Sequence, residues 1–140
     1  MEVNLSRIGI RRLFLGRQLG GRPAGGEFYD AEGRVDYALL SRSPLFREGI
    51  SKLKAEIQVH TVALLCSEEN PVRCHRRLLV GRALEERGFT LRHIRGDGNI
   101  QSEDDIEDAQ PVLFPEMEES PRKSIRSASR KRPRPSSSEL

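Results

Sequence analysis

Leu64–Gly88 reads LLCSEENPVRCHRRLLVGRALEERG, and the order of its residues decides how the chain is expected to fold. Val62 to Leu65 form an uninterrupted apolar run, the composition of a strand buried on both faces. Asn70 can cap a helix, and Pro71 can fill its first position, where a missing N–H is no loss. Gly88, following Arg87, supplies the stop. The pattern predicts a helix over 71–87 and a second strand over Thr90–Ile94. Strand, helix and strand in about 30 residues make a βαβ unit, whose strands pair in parallel. Side chains at the junction of such a unit face the crevice where ligands bind.

That junction holds both cysteines, His75 and three arginines within residues 66–77. At about 100° per residue, Val72, Leu79, Val80, Ala83 and Leu84 gather on the face that must lie on the sheet. Arg76 falls within this stripe, so it is expected to project over the strand end toward Cys66. His75 lies at the stripe's margin, Cys74 points away from its centre, and Glu68 is the expected counter-charge. A thiol near a helix N-terminus and cations is biased toward thiolate, the condition for a nucleophilic or redox cysteine. The candidate catalytic group is therefore Cys66, Glu68, Cys74, His75 and Arg76, with Cys66 as nucleophile and His75 as base or hydrogen-bond donor. The plainer alternative is a pair of buried cysteines beside an Arg–Glu pair that pins a loop.

Three chemistries fit the stretch less well. A phosphatase-like or rhodanese-like loop needs a glycine-rich cradle, whereas residues 66–73 contain no glycine and carry Glu68 and Glu69. A metal site would recruit Cys66, Cys74 and a histidine, but adjacent residues on a helix diverge by about 100°. No CxxC pair is present, so neither a metal nor another cofactor is expected. A Cys66–Cys74 disulfide is geometrically feasible, but no secretory signal points to an oxidising compartment.

The pattern C-x-E-x-x-P-x-x-C-H-R, carried by Cys66, Glu68, Pro71, Cys74, His75 and Arg76, resembles the hallmark of domain of unknown function family 488. LGGRP at Leu19–Pro23, GRVDYALL at Gly33–Leu40, SPLFREGISKL at Ser43–Leu53 and HIRGDG at His93–Gly98 resemble that family in the same order. The likeness spans residues 9–100. It implies a Rossmann-like three-layer α/β domain with a small, mostly parallel sheet and no assigned reaction, whose cysteine-histidine motif is suspected to be catalytic. Measured against such proteins, this chain reaches GIRRLFLGRQLGGRP at Gly9–Pro23 almost at once. The family's N-terminal strands are therefore expected to be missing, through a late start assignment or a truncated form. The strands that remain are expected at Arg11–Leu15, Thr61–Cys66 and Thr90–Ile94.

Composition suits one modest domain: 140 residues, 36% hydrophobic, without tryptophan. No apolar run is long enough for a membrane span, and two cysteines without a signal-like start lead to an expected cytoplasmic location. Residues 20–34 are glycine-rich and read as a loop, in which Gly20, Gly21 and Arg22 could offer amides and a cation to an anion. A simple turn with a surface arginine accounts for them equally well. Ser43 and Pro44 open a helix whose Leu45, Phe46, Ile50, Leu53 and Ile57 form a core face.

Beyond Ile100 the charge segregates. Residues 101–119 hold eight acidic and no basic residues, and residues 122–134 hold seven basic and no acidic ones. The domain is therefore expected over 1–104, with a disordered tail over 105–140. The basic end could bind nucleic acid weakly through phosphates, and Lys131–Arg134 resembles a nuclear import signal. Gln110, Leu113 and Phe114 resemble the peptide that docks bacterial proteins on the replication sliding clamp. Two functions follow: an enzyme using the cysteine-histidine-arginine site on a small molecule or nucleic-acid group, or a non-catalytic module tethered by its tail.

Overall fold

In the computed structural model the described residues are 2–108. Gln110, Leu113, Phe114 and the basic segment of 122–134 lie outside them.

Local chemistry starts the main helix, α4, at Pro44–Val59: the Ser43 hydroxyl accepts from the Phe46 amide at 3.2 Å, with proline in the first turn. Phe46, Ile50 and Leu53 are buried on its inner face, Ile57 is half-buried, and Leu45 is left 49% exposed. Each fully buried side chain of this size stabilises the fold by about 1.5–3 kcal/mol. Helix α1 (Glu2–Arg7) precedes this core, and the short α2 (Gly16–Leu19) packs on α4. Gly49 makes that packing close, since a Cβ there would sit 2.5 Å from Gln18 Cβ and 2.8 Å from Leu19 Cδ2. After a 3₁₀ turn at Gly26–Phe28, α3 (Tyr37–Leu40) is capped by Asp36, which accepts from the Leu39 amide at 3.1 Å.

The second half adds a 3₁₀ turn (Pro71–Arg73), a π-helical turn (Arg76–Gly81) and α5 (Arg82–Glu85). Leu79, Val80, Ala83 and Leu84 join Val35, Tyr37, Leu40 and the α4 residues in one core. Strands β1 (Arg92–Ile94) and β2 (Ile100–Ser102) form an antiparallel hairpin, with His93 opposite Gln101. Helix α6 (Glu103–Asp108) follows directly and buries Ile106.

The Rossmann-like, mostly parallel sheet is overturned. Among the described residues the sheet is the two-stranded antiparallel hairpin, and the rest is helix and loop. Thr90–Ile94 does yield a strand, but it turns back through Arg95–Asn99 instead of pairing with Thr61–Cys66. Arg11–Leu15 and Thr61–Cys66 have no ladder partner among the described residues. A strand is stable only with a hydrogen-bonded neighbour, and an apolar run does not encode one. Burial follows suit: Leu64 packs against the core, while Leu65 is 78% and Phe14 64% exposed. The helix expected to cover a sheet packs on other helices, so three layers do not form. Among the described residues, no helix is long and apolar enough to cross a membrane.

Candidate functional site

The site is shaped by an interruption in the helix expected over 71–87. Asn70 caps as expected, its side chain accepting from the Val72 amide at 3.0 Å, but it caps only one 3₁₀ turn. That turn ends at Cys74, whose backbone is extended (φ −95°, ψ 134°), and helical conformation resumes at His75. Cys74 and His75 are therefore not successive positions on one cylinder, and the expected 100° divergence between them does not apply. Instead, the sulfurs of Cys66 and Cys74 and a ring nitrogen of His75 all lie within 4.8 Å of one another. Cys66 Sγ is 3.7 Å from His75 Nδ1. The three residues come from three conformations: an irregular stretch, an extended residue and the first position of a helix.

The members differ in electrostatics and in access to solvent. Cys74 is 1% exposed, and its thiol is pushed up to about 11, chiefly by burial. The Arg76 amide, donating to Cys74 Sγ at 3.4 Å, opposes this rise. Burial, helped by the neighbouring Arg76 charge, lowers His75 below the usual imidazole value, so the ring is neutral at pH 7. A neutral ring with an unprotonated Nδ1 can accept the Cys66 proton. Cys66 itself is partly exposed.

The glycine loop reaches this cluster. A Cβ on Gly21 would lie 2.7 Å from His75 Cγ and 2.9 Å from its Cβ, so only glycine lets the loop lie against the imidazole. Gly20 is equally tight, with a Cβ there 2.4 Å from the Gly16 carbonyl oxygen. Arg22 is exposed beside them. Gly49 seats α2 on α4, and α2 carries this loop to His75. A core contact thus positions a ring at the site.

Glu68 and Arg76 do not form the expected pair. Glu68 is exposed, and its neighbour Glu69 does the bridging. Glu69 accepts from Arg95 Nε at 2.9 Å, Arg95 Nη2 at 3.2 Å and the Gly96 amide at 2.9 Å. The Arg95 guanidinium, then the Gly96 N–H, hold its carboxyl down at about 2. Its main-chain carbonyl takes Arg76 Nη2 at 3.3 Å. Arg76 thus spans the cysteine loop from the outside, half-buried, and does not lie within the apolar stripe.

The residue that does turn inward is Arg77, 8% exposed. It pairs with Glu103, which also meets His93 Nε2 at 2.6 Å. Since a carboxylate only accepts, His93 presents an Nε2–H there. This cluster locks the π-helical turn to the hairpin and α6. Sequence reasoning missed Glu69, Arg77, His93 and Glu103 as site supports. HIRGDGN carried a legible turn at Asp97–Gly98, which would have brought Arg95 back over Glu69.

Two thiols and an imidazole are also a donor set for a thiophilic cation, with one tetrahedral position left over. Cys66, Cys74 and His75 are the residues that could hold one. No curated protein and no solved structure matches the chain. The family comparison covers residues 1–83, a span that holds Gly21 and the whole Cys66–Arg76 motif and ends before His93–Gly98. With more than half of its length inside that match, the protein belongs to the family described as Domain of unknown function DUF488.

Proposed function

We propose that the protein is a thiol-dependent enzyme in which Cys66 is the nucleophile and His75 accepts its proton. The observation that carries this reading is the 3.7 Å approach of Cys66 Sγ to His75 Nδ1. Nucleophile and base stand next to each other, as activated-thiol chemistry requires. Gly21 backs the imidazole on one side, which fixes its direction. Arg76 contributes a cation felt at Cys74 and His75, and Arg22 is exposed next to the Gly21 that lies against the imidazole. An electrophile with an anionic group suits these cations. A reducing compartment keeps both thiols free, and on that ground we place the protein in the cytoplasm.

The test is the rate at which iodoacetamide labels Cys66 at pH 7, in a Cys74→Ser background so that one thiol is counted. General-base assistance is worth about 10²–10⁴-fold in enzymes. Replacing His75 with alanine is expected to slow labelling about 10²-fold, at the low edge of that range. His75→Asn, which keeps a polar side chain, serves as a second variant should the alanine protein fold poorly. Equal rates with and without the imidazole in folded protein would sink the proposal.

A further inference from the structure

Cys66 and Cys74 are unlike each other in every respect that matters to sulfur chemistry. Cys66 is partly exposed and lies in the irregular stretch before Asn70, whereas Cys74 is buried and held between a 3₁₀ turn and a π-helical turn. Their sulfurs nevertheless lie within 4.8 Å of each other, with a His75 nitrogen in the same range of both. We propose that the two act as an attacking and resolving pair that exchanges with small anionic disulfides. This rests on the Cys66–His75 reading and names the substrate class for that site.

The exchange balances without any further reactant. Cys66 gives its proton to His75, and its sulfur attacks one sulfur of R–S–S–R. The disulfide breaks, and the leaving R–S⁻ takes the proton from His75. Cys74 then passes its proton to the same ring and attacks Cys66 Sγ in the mixed disulfide. The second R–S⁻ leaves with that proton. The substrate gains two electrons and two protons and becomes two thiols. The pair loses the same and becomes a Cys66–Cys74 disulfide, which excess thiol reverses by the same steps.

The order of attack follows from the surroundings. Cys66 is partly exposed and meets the substrate first, whereas Cys74 is buried and stays out of its reach. Once Cys66 carries the mixed disulfide, Cys74 is the thiol beside it, with the Arg76 amide pointing at its sulfur at 3.4 Å. Bond formation needs the sulfurs at about 2.05 Å, and Cys66, on the irregular side, is the one that closes the gap. Arg22, exposed next to the Gly21 that lies against His75, is the cation that favours a carboxylate-bearing disulfide.

Oxidised glutathione is the probe, added to the full chain at pH 8 with a chelator present and followed by thiol titration and intact mass. Wild-type protein is expected to lose both thiols, keep no glutathione and release two glutathione thiols per chain. Cys74→Ser is expected to stop with one glutathione on Cys66, and Cys66→Ser to stay unmodified. A wild-type chain that stops at the glutathione adduct overturns the resolving role and leaves Cys66 as the nucleophile. No adduct in Cys74→Ser, together with slow alkylation, overturns both readings. A chain purified without chelator that carries one zinc ion, released only as both thiols become titratable, overturns the exchange in favour of a metal centre.

Discussion

Two glutamates fasten the cysteine segment to the C-terminal hairpin, and they do so in opposite surroundings. Glu103 joins Arg77 and His93, whose side chains are 9% and 6% exposed. Glu69 joins Arg95 and the Gly96 amide with its own side chain 52% exposed. Residue type and partner type are nearly the same, so the difference between the two anchors is solvent. Water screens the outer one and can replace either partner, whereas the inner one is largely shut off from it. Exposed pairs are worth about 0–1 kcal/mol, while removing one member of a buried pair costs about 3–5 kcal/mol.

Glu103→Ala breaks the inner anchor and removes the carboxylate that buried Arg77 and His93 share. The expected loss is about 3–5 kcal/mol, read as a fall in the urea midpoint with an unchanged slope. A midpoint equal to that of wild type would erase the distinction between the two anchors.

Gly21→Ala probes a contact intermediate between them, where a loop touches the half-buried His75. The added Cβ cannot coexist with the ring at 2.7 Å from Cγ, so loop or imidazole must shift. Overpacking of this kind costs about 1–3 kcal/mol. The sharper readout is Cys66 alkylation at pH 7 in the Cys74→Ser background, expected to fall toward the rate without His75. Wild-type reactivity in this variant would show that the ring does not depend on the loop for its direction.

Elements whose signals are local were legible in the sequence. Ser43-Pro44 and the spacing of Phe46, Ile50 and Leu53 predict α4, and Leu79, Val80, Ala83 and Leu84 predict the inner face of the later helix. That both cysteines and His75 would lie near one another was legible too. Their arrangement was not. A wheel at 100° per residue assumes one continuous α-helix, but the chain breaks at Cys74 and resumes with a π turn, whose wider spacing changes which arginine faces inward. Arg77 takes the place expected of Arg76 for that reason. Glu103 stands in an acidic run at the very edge of the expected domain, and only contacts across the fold show what it holds. The parallel sheet failed because strand pairing is non-local, and an apolar run does not say what lies beside it.

The outer anchor gives the next effect down and carries a pH signature. Glu69 titrates near 2, below its ordinary 4.5, so its contribution is complete above about 4.5 and is lost as the pH falls toward 2. Glu69→Gln is expected to lower the urea midpoint at pH 7 by much less than Glu103→Ala. Its difference from wild type should shrink below pH 4.5 and also in 1 M salt, where exposed charges are screened. A difference that persists at pH 2 would mean that Glu69 acts by packing and not by charge.

Leu65→Ser should do least, and it separates the observed fold from the expected sheet. A leucine in a strand covered on both faces would cost about 2–5 kcal/mol on truncation. In the structure Leu65 points outward at 78% exposure from a segment without a ladder partner among the described residues, while its neighbour Leu64 packs on the core. Surface replacements away from such contacts stay within about 0.5 kcal/mol. Leu65→Ser is therefore expected to leave the urea midpoint unchanged, and Leu64→Ala to lower it. If Leu65→Ser proves the more damaging, residue 65 is covered by something that the helical core does not supply. The irregular stretch leading to Cys66 would then be a paired strand after all. Since Cys66 must approach Cys74 for the exchange proposed above, the same result would also weigh against that exchange, because a paired strand holds its last residue in place.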